Sequence, residues 1–289
     1  MKDIGTLVKD IENLLDQGEL DGEYEVFGRG MGAVLQRGMQ PRDHTQPSRV
    51  WFSNVGGPCT RKLWYKIHTP ADGEPLRAPT KFKFLYGDII EELVLDLARR
   101  AGHLVEHEQR HVTWNGVSGR IDATIDGMLV DVKSASSFSF KKFQGGLQRE
   151  DDAFGYLGQL AGYLLVARED GFVTGVNRNR AGFLVANKET GKLHLDVHEF
   201  TDGDLLDIGR HINNNKSAAE GDESPERSFE PVPEGKSGNL KLGTNCSYCD
   251  FKVSCWPGVR TFLYSNKPVF LTHVEREPNV PELKGKIDD

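Results

Sequence analysis

The 289-residue chain is short of cysteine, of long apolar runs and of net positive charge, and each shortage excludes something. Four cysteines, Cys59, Cys246, Cys249 and Cys255, are too few to staple a chain of this length as a disulfide scaffold. No apolar run approaches the roughly eighteen residues that a membrane-spanning helix needs, so no membrane partner is expected. The opening "MKDIGTLVKDIENLLDQ" lacks the apolar centre and small-residue cleavage site of a signal peptide, which predicts a cytoplasmic location. It reads instead as an amphipathic helix with Ile4, Leu7, Val8, Ile11, Leu14 and Leu15 on one side. A net charge of −7 does not advertise nucleic-acid binding. Net charge is a poor guide to local fields, however. Cations gather in two places, Arg61, Lys62, Lys66, Arg77, Lys81 and Lys83, then Lys141, Lys142 and Arg149, each a solvated face or a phosphate track.

What is present is ordinary soluble-protein composition, 37% hydrophobic and 27% charged, with alternating helix and strand patterns. Residues 18–50 show weak periodicity and read as mostly irregular, and 58–68 as a short helix starting near Pro58. Residues 86–101 form a clear helix ending at Gly102, with Ile89, Ile90, Leu93, Val94, Leu97, Ala98 and Leu95 on one broad arc. Glu91 falls inside that arc, where a carboxylate is costly unless paired, metal-bound or at the rim. His103 to Trp114 reads as a strand, and "SASSFSFKKFQGG" as a loop or short helix. Asp151 or Asp152 caps a helix running to about Arg168, on which Tyr156, Gln159 and Tyr163 share a face. "AGFLVANKETGKLHLDVHEF" gives two strands around a turn. Residues 201–215 look helical, 216–243 suit a linker, and the tail after Cys255 shows no pattern.

The stretch "GRIDATIDGMLVDVKS" (Gly119–Ser134) is a hairpin around Asp126-Gly127. That turn pairs Ile125 with Met128, Thr124 with Leu129, Ala123 with Val130, and Asp122 with Asp131. One face carries Ile121, Ala123, Ile125, Met128, Val130 and Val132 toward a core; the other carries Asp122, Asp131 and Lys133. Facing carboxylates destabilise a sheet and need a cation or a proton. A divalent metal meets that need. So does Lys133 on a solvated edge hairpin.

Three of the cysteines are spaced C-x2-C-x5-C, and the fourth lies far upstream in "GPCTRKLWY". Four thiolates with none left over is what an all-cysteine metal site requires, and both zinc and an iron–sulfur cluster accept them.

These motifs in this order, "YGDIIEE", "GRID", "DVK", "QLAGY" and the one-plus-three cysteines, resemble the iron–sulfur branch of the PD-(D/E)XK nuclease superfamily. That branch holds RecB-like exonucleases and the CRISPR-associated exonucleases of spacer acquisition. The resemblance implies an α/β fold with a central mixed β-sheet flanked by helices, a restriction-endonuclease-like core, and a four-cysteine cluster site joining early and late segments. It implies a metal-dependent DNA exonuclease acting on single strands or DNA ends. Asp122, Asp131 and the Val132 carbonyl would hold Mg²⁺ or Mn²⁺, with Glu91 assisting. Lys133 would orient the attacking water or aid its deprotonation, and Gln159 and Tyr163 would position the substrate strand. Cys59, Cys246, Cys249 and Cys255 would hold a structural 4Fe–4S cluster. Two positions depart from the family, which often has histidine in place of Glu91 and glutamate in place of Asp131. The expected organisation is an N-terminal helix and irregular segment (1–54), a nuclease domain (55–258) and a tail (259–289). Beyond DNA, the resemblance points to recombination, replication or CRISPR-adaptation proteins as partners, within whose complexes the chain would be a nuclease-like subunit. The competing reading is a non-catalytic nucleic-acid- or protein-binding module with zinc at the cysteines.

Overall fold

The computed structural model describes residues 2–18, 24–40, 46–169, 176–265 and 267–283. The chain divides into two units, the first built from Met1–Asp43, Arg49–Gly57 and Leu76–Lys216, the second from His44–Ser48, Pro58–Pro75 and Ser217–Asp289.

In the first unit the strands are β1 (Val105–Glu106), β2 (Arg110–Trp114), β3 (Val117–Ile121), β4 (Ala123–Ile125), β5 (Met128–Ala135), β6 (Arg180–Asn187) and β7 (Leu193–Glu199). Five of them form a mixed sheet in the order β1-β4-β5-β6-β7, while β2 and β3 pair apart. Only β5 and β6 run parallel, as their connection through two helices, Ser137–Gln144 and Tyr156–Glu169, requires. Asp126 and Gly127 have φ of 47° and 75°, the two left-handed residues of a type I′ turn. The register follows: Ile125 faces Met128, Thr124 faces Leu129 and Ala123 faces Val130. Asp122 does not complete the expected pair with Asp131. It stands between β3, which belongs to the small sheet, and β4, which belongs to the large one.

The predicted core face of the hairpin is buried at every position, Ile121, Ala123, Ile125, Met128, Val130 and Val132. Leu7 and Ile11 of the first helix and Val94, Leu95, Leu97 and Ala98 of the long helix Ala78–Arg100 share the core with most of this face. Each such aliphatic side chain contributes about 1.5–3 kcal/mol on leaving water. The opposite face is covered too: Phe143 meets Phe183 edge-on at 5.4 Å. β5 is therefore an interior strand, and the reading of its acidic face as a solvated edge fails: Asp131 is only 2% exposed.

Residues 24–39 correct the irregular reading of 18–50, since Tyr24–Met39 is helix; residues 19–23 and 41–45 lie outside the described residues. Its glycines masked the pattern. Two of the four allow close packing: a Cβ on Gly30 would lie 1.9 Å from Glu92 Oε1, and one on Gly38 would lie 2.6 Å from Leu85 Cδ1. Contact with the long helix offsets the conformational cost of glycine. The predicted strand 103–114 is broken by positive φ at His107 and Gln109. The helix predicted from 86 begins earlier, at Ala78. Asp152 caps the helix Tyr156–Glu169, accepting hydrogen bonds from the backbone N–H groups of Tyr156 (2.9 Å) and Leu157 (2.8 Å).

The second unit contains the helix Thr60–His68 and a four-stranded sheet, ordered β10-β11-β9-β8, of β8 (Val232–Pro233), β9 (Leu240–Lys241), β10 (Arg260–Tyr264) and β11 (Lys267–His273). The tail that shows no pattern in sequence thus supplies a hairpin. Tyr65 stacks on Phe251 at 5.4 Å, and the Glu74 N–H donates to the Asp250 carbonyl at 2.9 Å. Among the described residues no helix is long and apolar enough to cross a membrane.

Candidate active site

The break at Asp122 aims its side chain. With no ladder partner there, the Asp122 carbonyl accepts from the Gln109 backbone N–H at 3.0 Å. Its carboxylate Oδ2 accepts from the Val132 N–H, one residue beyond Asp131, at 2.7 Å. Asp131 points from β5 to the same side as Lys133, two residues on, and the two form an ion pair. Both Asp131 oxygens are buried, and Oδ2 takes the Lys133 ammonium as its partner. The Tyr156 ring lies 4.6 Å from Lys133 Nζ. Glu91 comes from the long helix.

These groups perturb one another. Burial, then Asp131 and Asp88, push the Glu91 carboxyl up to about 7. Burial, then the Asp131 and Glu91 charges, hold Asp122 well above the usual carboxylate range, against the opposing pull of Lys133 and the Val132 N–H. Burial alone would lower Lys133, but Asp131 and Asp122 more than offset it, so the ammonium is held above its ordinary value. Three carboxyl groups thus converge on one ammonium, and burial first, then mutual repulsion, favours the protonated form of Glu91 and Asp122. Such a site accepts further positive charge. Among the described residues no group of three or more His, Cys, Asp or Glu side chains is drawn close enough to hold an ion as it stands. The donor chemistry nevertheless fits a hard divalent cation: buried carboxylates that outnumber the one ammonium beside them, and a nearby main-chain carbonyl at Val132.

Gln159 and Tyr163, expected to position substrate, meet each other at 3.0 Å, Gln159 Nε2 donating to the Tyr163 hydroxyl. That hydroxyl donates onward to the Arg120 carbonyl at 2.8 Å. Tyr163 is buried, edge-on to Phe52 at 5.5 Å. Both residues therefore hold the strand that delivers Asp122. Gly119 and Gly162 make room for these rings: a Cβ on Gly119 would lie 2.6 Å from Phe52, and one on Gly162 2.4 Å from it.

One contributor is absent from the sequence reading, and a second, Tyr156, is named there without a role. Gln109 donates through Nε2 to Glu91 Oε1 and accepts at Oε1 from Arg120 at 3.2 Å. With its backbone N–H on Asp122, one residue at φ 52° touches both acids. Nothing in "EHEQRH" singles it out. Tyr156, over the lysine, was legible only as the third member of the Gln159–Tyr163 face.

In the second unit Cys59, Cys246, Cys249 and Cys255 line one cavity of about 30 Å³, with Lys62, Tyr65 and Trp256. Burial, then the neighbouring Cys59 and Cys249, push the Cys246 thiol up to about 11, and burial raises Cys249 as well. The four sulfurs are a soft donor set that suits a thiophilic metal.

A mixed sheet that brings two aspartates and a lysine together from a strand break and an interior strand, with a third carboxylate from a flanking helix, is the architecture of a nuclease core. Residues 13–256 match the PD-(D/E)XK nuclease superfamily, and the chain belongs to that superfamily. Among solved structures it is similar to the crystal structure of SSO0001, at 16% identity over 81% of this chain and 96% of that one, with a TM-score of 0.43. It is also similar to LHK-Exo in complex with dAMP, at 13% identity over 60% and 88% of the two chains, with a TM-score of 0.38. A further crystal structure, of an alkaline exonuclease (LHK-Exo) from Laribacter hongkongensis, matches at 14% identity over 58% and 89%, with a TM-score of 0.33. No curated protein matches the sequence.

Proposed function

We propose that the protein is a Mg²⁺- or Mn²⁺-dependent DNA exonuclease acting on single strands or strand ends. Asp122, Asp131, the Val132 carbonyl and Glu91 would hold the ion. Membership of the nuclease superfamily supports phosphodiester hydrolysis. The observation that carries the reading is the imbalance of charge: three buried carboxyl groups, Asp122, Asp131 and Glu91, share one ammonium, Lys133, and such a group of acids is costly unless further positive charge joins it. A bound divalent ion lowers the pKa of water and stabilises charge on the attacked phosphate. Hydrolysis adds the water oxygen to phosphorus, breaks one P–O bond, and leaves the departing oxygen with a proton. Lys133 keeps its proton in this environment. Its role in this reading is to lie against the phosphate and the attacking oxygen as positive charge. Gln159 and Tyr163 keep β3, and with it Asp122, in line.

The four cysteines would carry a 4Fe–4S cluster of structural role, since hydrolysis transfers no electrons. Zinc on the same four thiolates, which line one cavity, is the second reading. Metal analysis separates them. A brown protein with broad visible absorbance, lost in Cys246→Ser, supports the cluster; a colourless anaerobic preparation with one zinc per chain refutes it.

End-labelled single-stranded DNA, with the label at 5′ or at 3′, tests the activity. Mg²⁺- or Mn²⁺-dependent release of mononucleotides, abolished in folded Asp131→Asn and Lys133→Met, is the expected result. Intact DNA with correctly metallated wild-type protein refutes the assignment.

A further inference from the structure

Four phenylalanines of the first unit are largely exposed, and two of them stand on the elements that surround the catalytic lysine. Phe138, 75% exposed, opens the helix that follows β5; Phe154, 57% exposed, precedes the helix that carries Tyr156. Phe154 lies against Tyr156 with ring centroids 5.6 Å apart and planes at 33°. Tyr156 in turn covers Lys133. Phe154 is thus two ring contacts out from the reacting centre. Phe138 faces the Lys142 ammonium at 5.4 Å, and Lys142 bridges to Asp151 at 2.9 Å, which ties the two exposed rings to one locale.

The backbone bearing Phe154 is fixed. Gly155 has φ of 76°, and a Cβ there would lie 2.6 Å from the Gly57 Cα and 2.7 Å from the Gly56 carbonyl oxygen. On the other side Asp152 is spent on capping. An exposed ring gains little from burial, so the fold is holding an aromatic face toward solvent at a set position. Of the acids nearby, Asp151 is bridged by Lys142 and Asp152 caps the helix, while Glu150 is exposed; Lys141 is exposed on the same helix as Phe138.

We infer that Phe154 is a stacking subsite for one unpaired nucleobase of the substrate strand, with Phe138 on the preceding helix and the exposed Lys141 of that helix serving the adjoining phosphate. This rests on the nuclease reading and deepens it, since only an unpaired base offers a free face to the ring. Stacking of this kind is tolerant of base identity.

The test uses the full chain in EDTA, so that binding is read without hydrolysis, and a short single-stranded oligonucleotide carrying one 2-aminopurine. Quenching of the probe on binding wild type is expected. Phe154→Ala should weaken binding about 5- to 150-fold and lose the quench. Phe154→Trp should retain both, and Phe154→Leu should retain neither. An abasic residue at the stacked position should weaken wild type but add nothing to the loss in Phe154→Ala. Melting temperatures within the wild-type range confirm that these exposed positions leave the fold intact. Unchanged affinity in Phe154→Ala, or full retention by leucine, overturns the subsite. So does equal sensitivity on a fully paired, blunt duplex, or preferential capture of an apolar peptide. If wild type hydrolyses DNA while Phe154→Ala binds normally, the subsite alone fails. If the quench behaves as expected but Mn²⁺ brings no hydrolysis, the nuclease reading alone fails.

Discussion

Metal-free protein should lose stability as pH rises toward neutrality, and a divalent ion should return it. The cause is Glu91, whose carboxyl is raised from 4.5 to about 7 by burial and by Asp131 and Asp88. Below 4.5 the folded and unfolded chains both carry the proton. Between 4.5 and 7 the unfolded chain releases it while the folded chain retains it, so the fold weakens across this window. Above 7 the whole loss, roughly 3 kcal/mol, is in place. Asp122 acts in the same direction. A cation takes the proton's place, so its stabilising effect grows over the same interval. The assay is thermal unfolding in EDTA and in excess Mn²⁺, at about pH 5.5 and about pH 8. Glu91→Gln has no charge to form; without metal near pH 8 it should melt above wild type, by up to roughly 6–12 °C. A metal-free wild type whose melting temperature is level or rises over this range, with Glu91→Gln running parallel to it, would refute the reasoning.

Gln109→Leu should weaken Mn²⁺ binding about 10- to 100-fold, because Glu91 loses the amide that orients it, while the melting temperature changes little; a metal titration reads this directly. Lys133→Met should lower turnover by at least about a hundredfold at every pH. A defect that vanished in alkaline buffer would make the lysine a base. Gly162→Ala drives a methyl group to 2.4 Å from Phe52 and should cost about 1–3 kcal/mol in urea unfolding, part of it recovered by Phe52→Leu.

Local rules made the hairpin readable. Asp-Gly fixes the turn, the turn fixes the register, and alternation then assigns Asp131 and Lys133 to one side and the aliphatics to the other. The Asp152 cap and the β6–β7 pair were legible for the same reason, as signals contained within a few residues. Interior placement of β5 was not, because it depends on a parallel partner some fifty residues away in sequence. The helix Tyr24–Met39 was hidden by glycines whose purpose is visible only beside Glu92 and Leu85. Gln109 escaped because its importance comes from a single left-handed backbone angle and two long-range partners. Tyr163 looked like a residue for ligand contact, and its neighbours show that it secures a strand.

Asp122 is steered by main-chain atoms, a peptide N–H at its carboxylate and another at its carbonyl. Peptide groups are common to every residue type except proline, whose nitrogen has no hydrogen to give. The letters at the two donating positions, Gln109 and Val132, can therefore change to any residue but proline without removing these contacts, and relatives are expected to keep the aim of the aspartate after those letters have diverged.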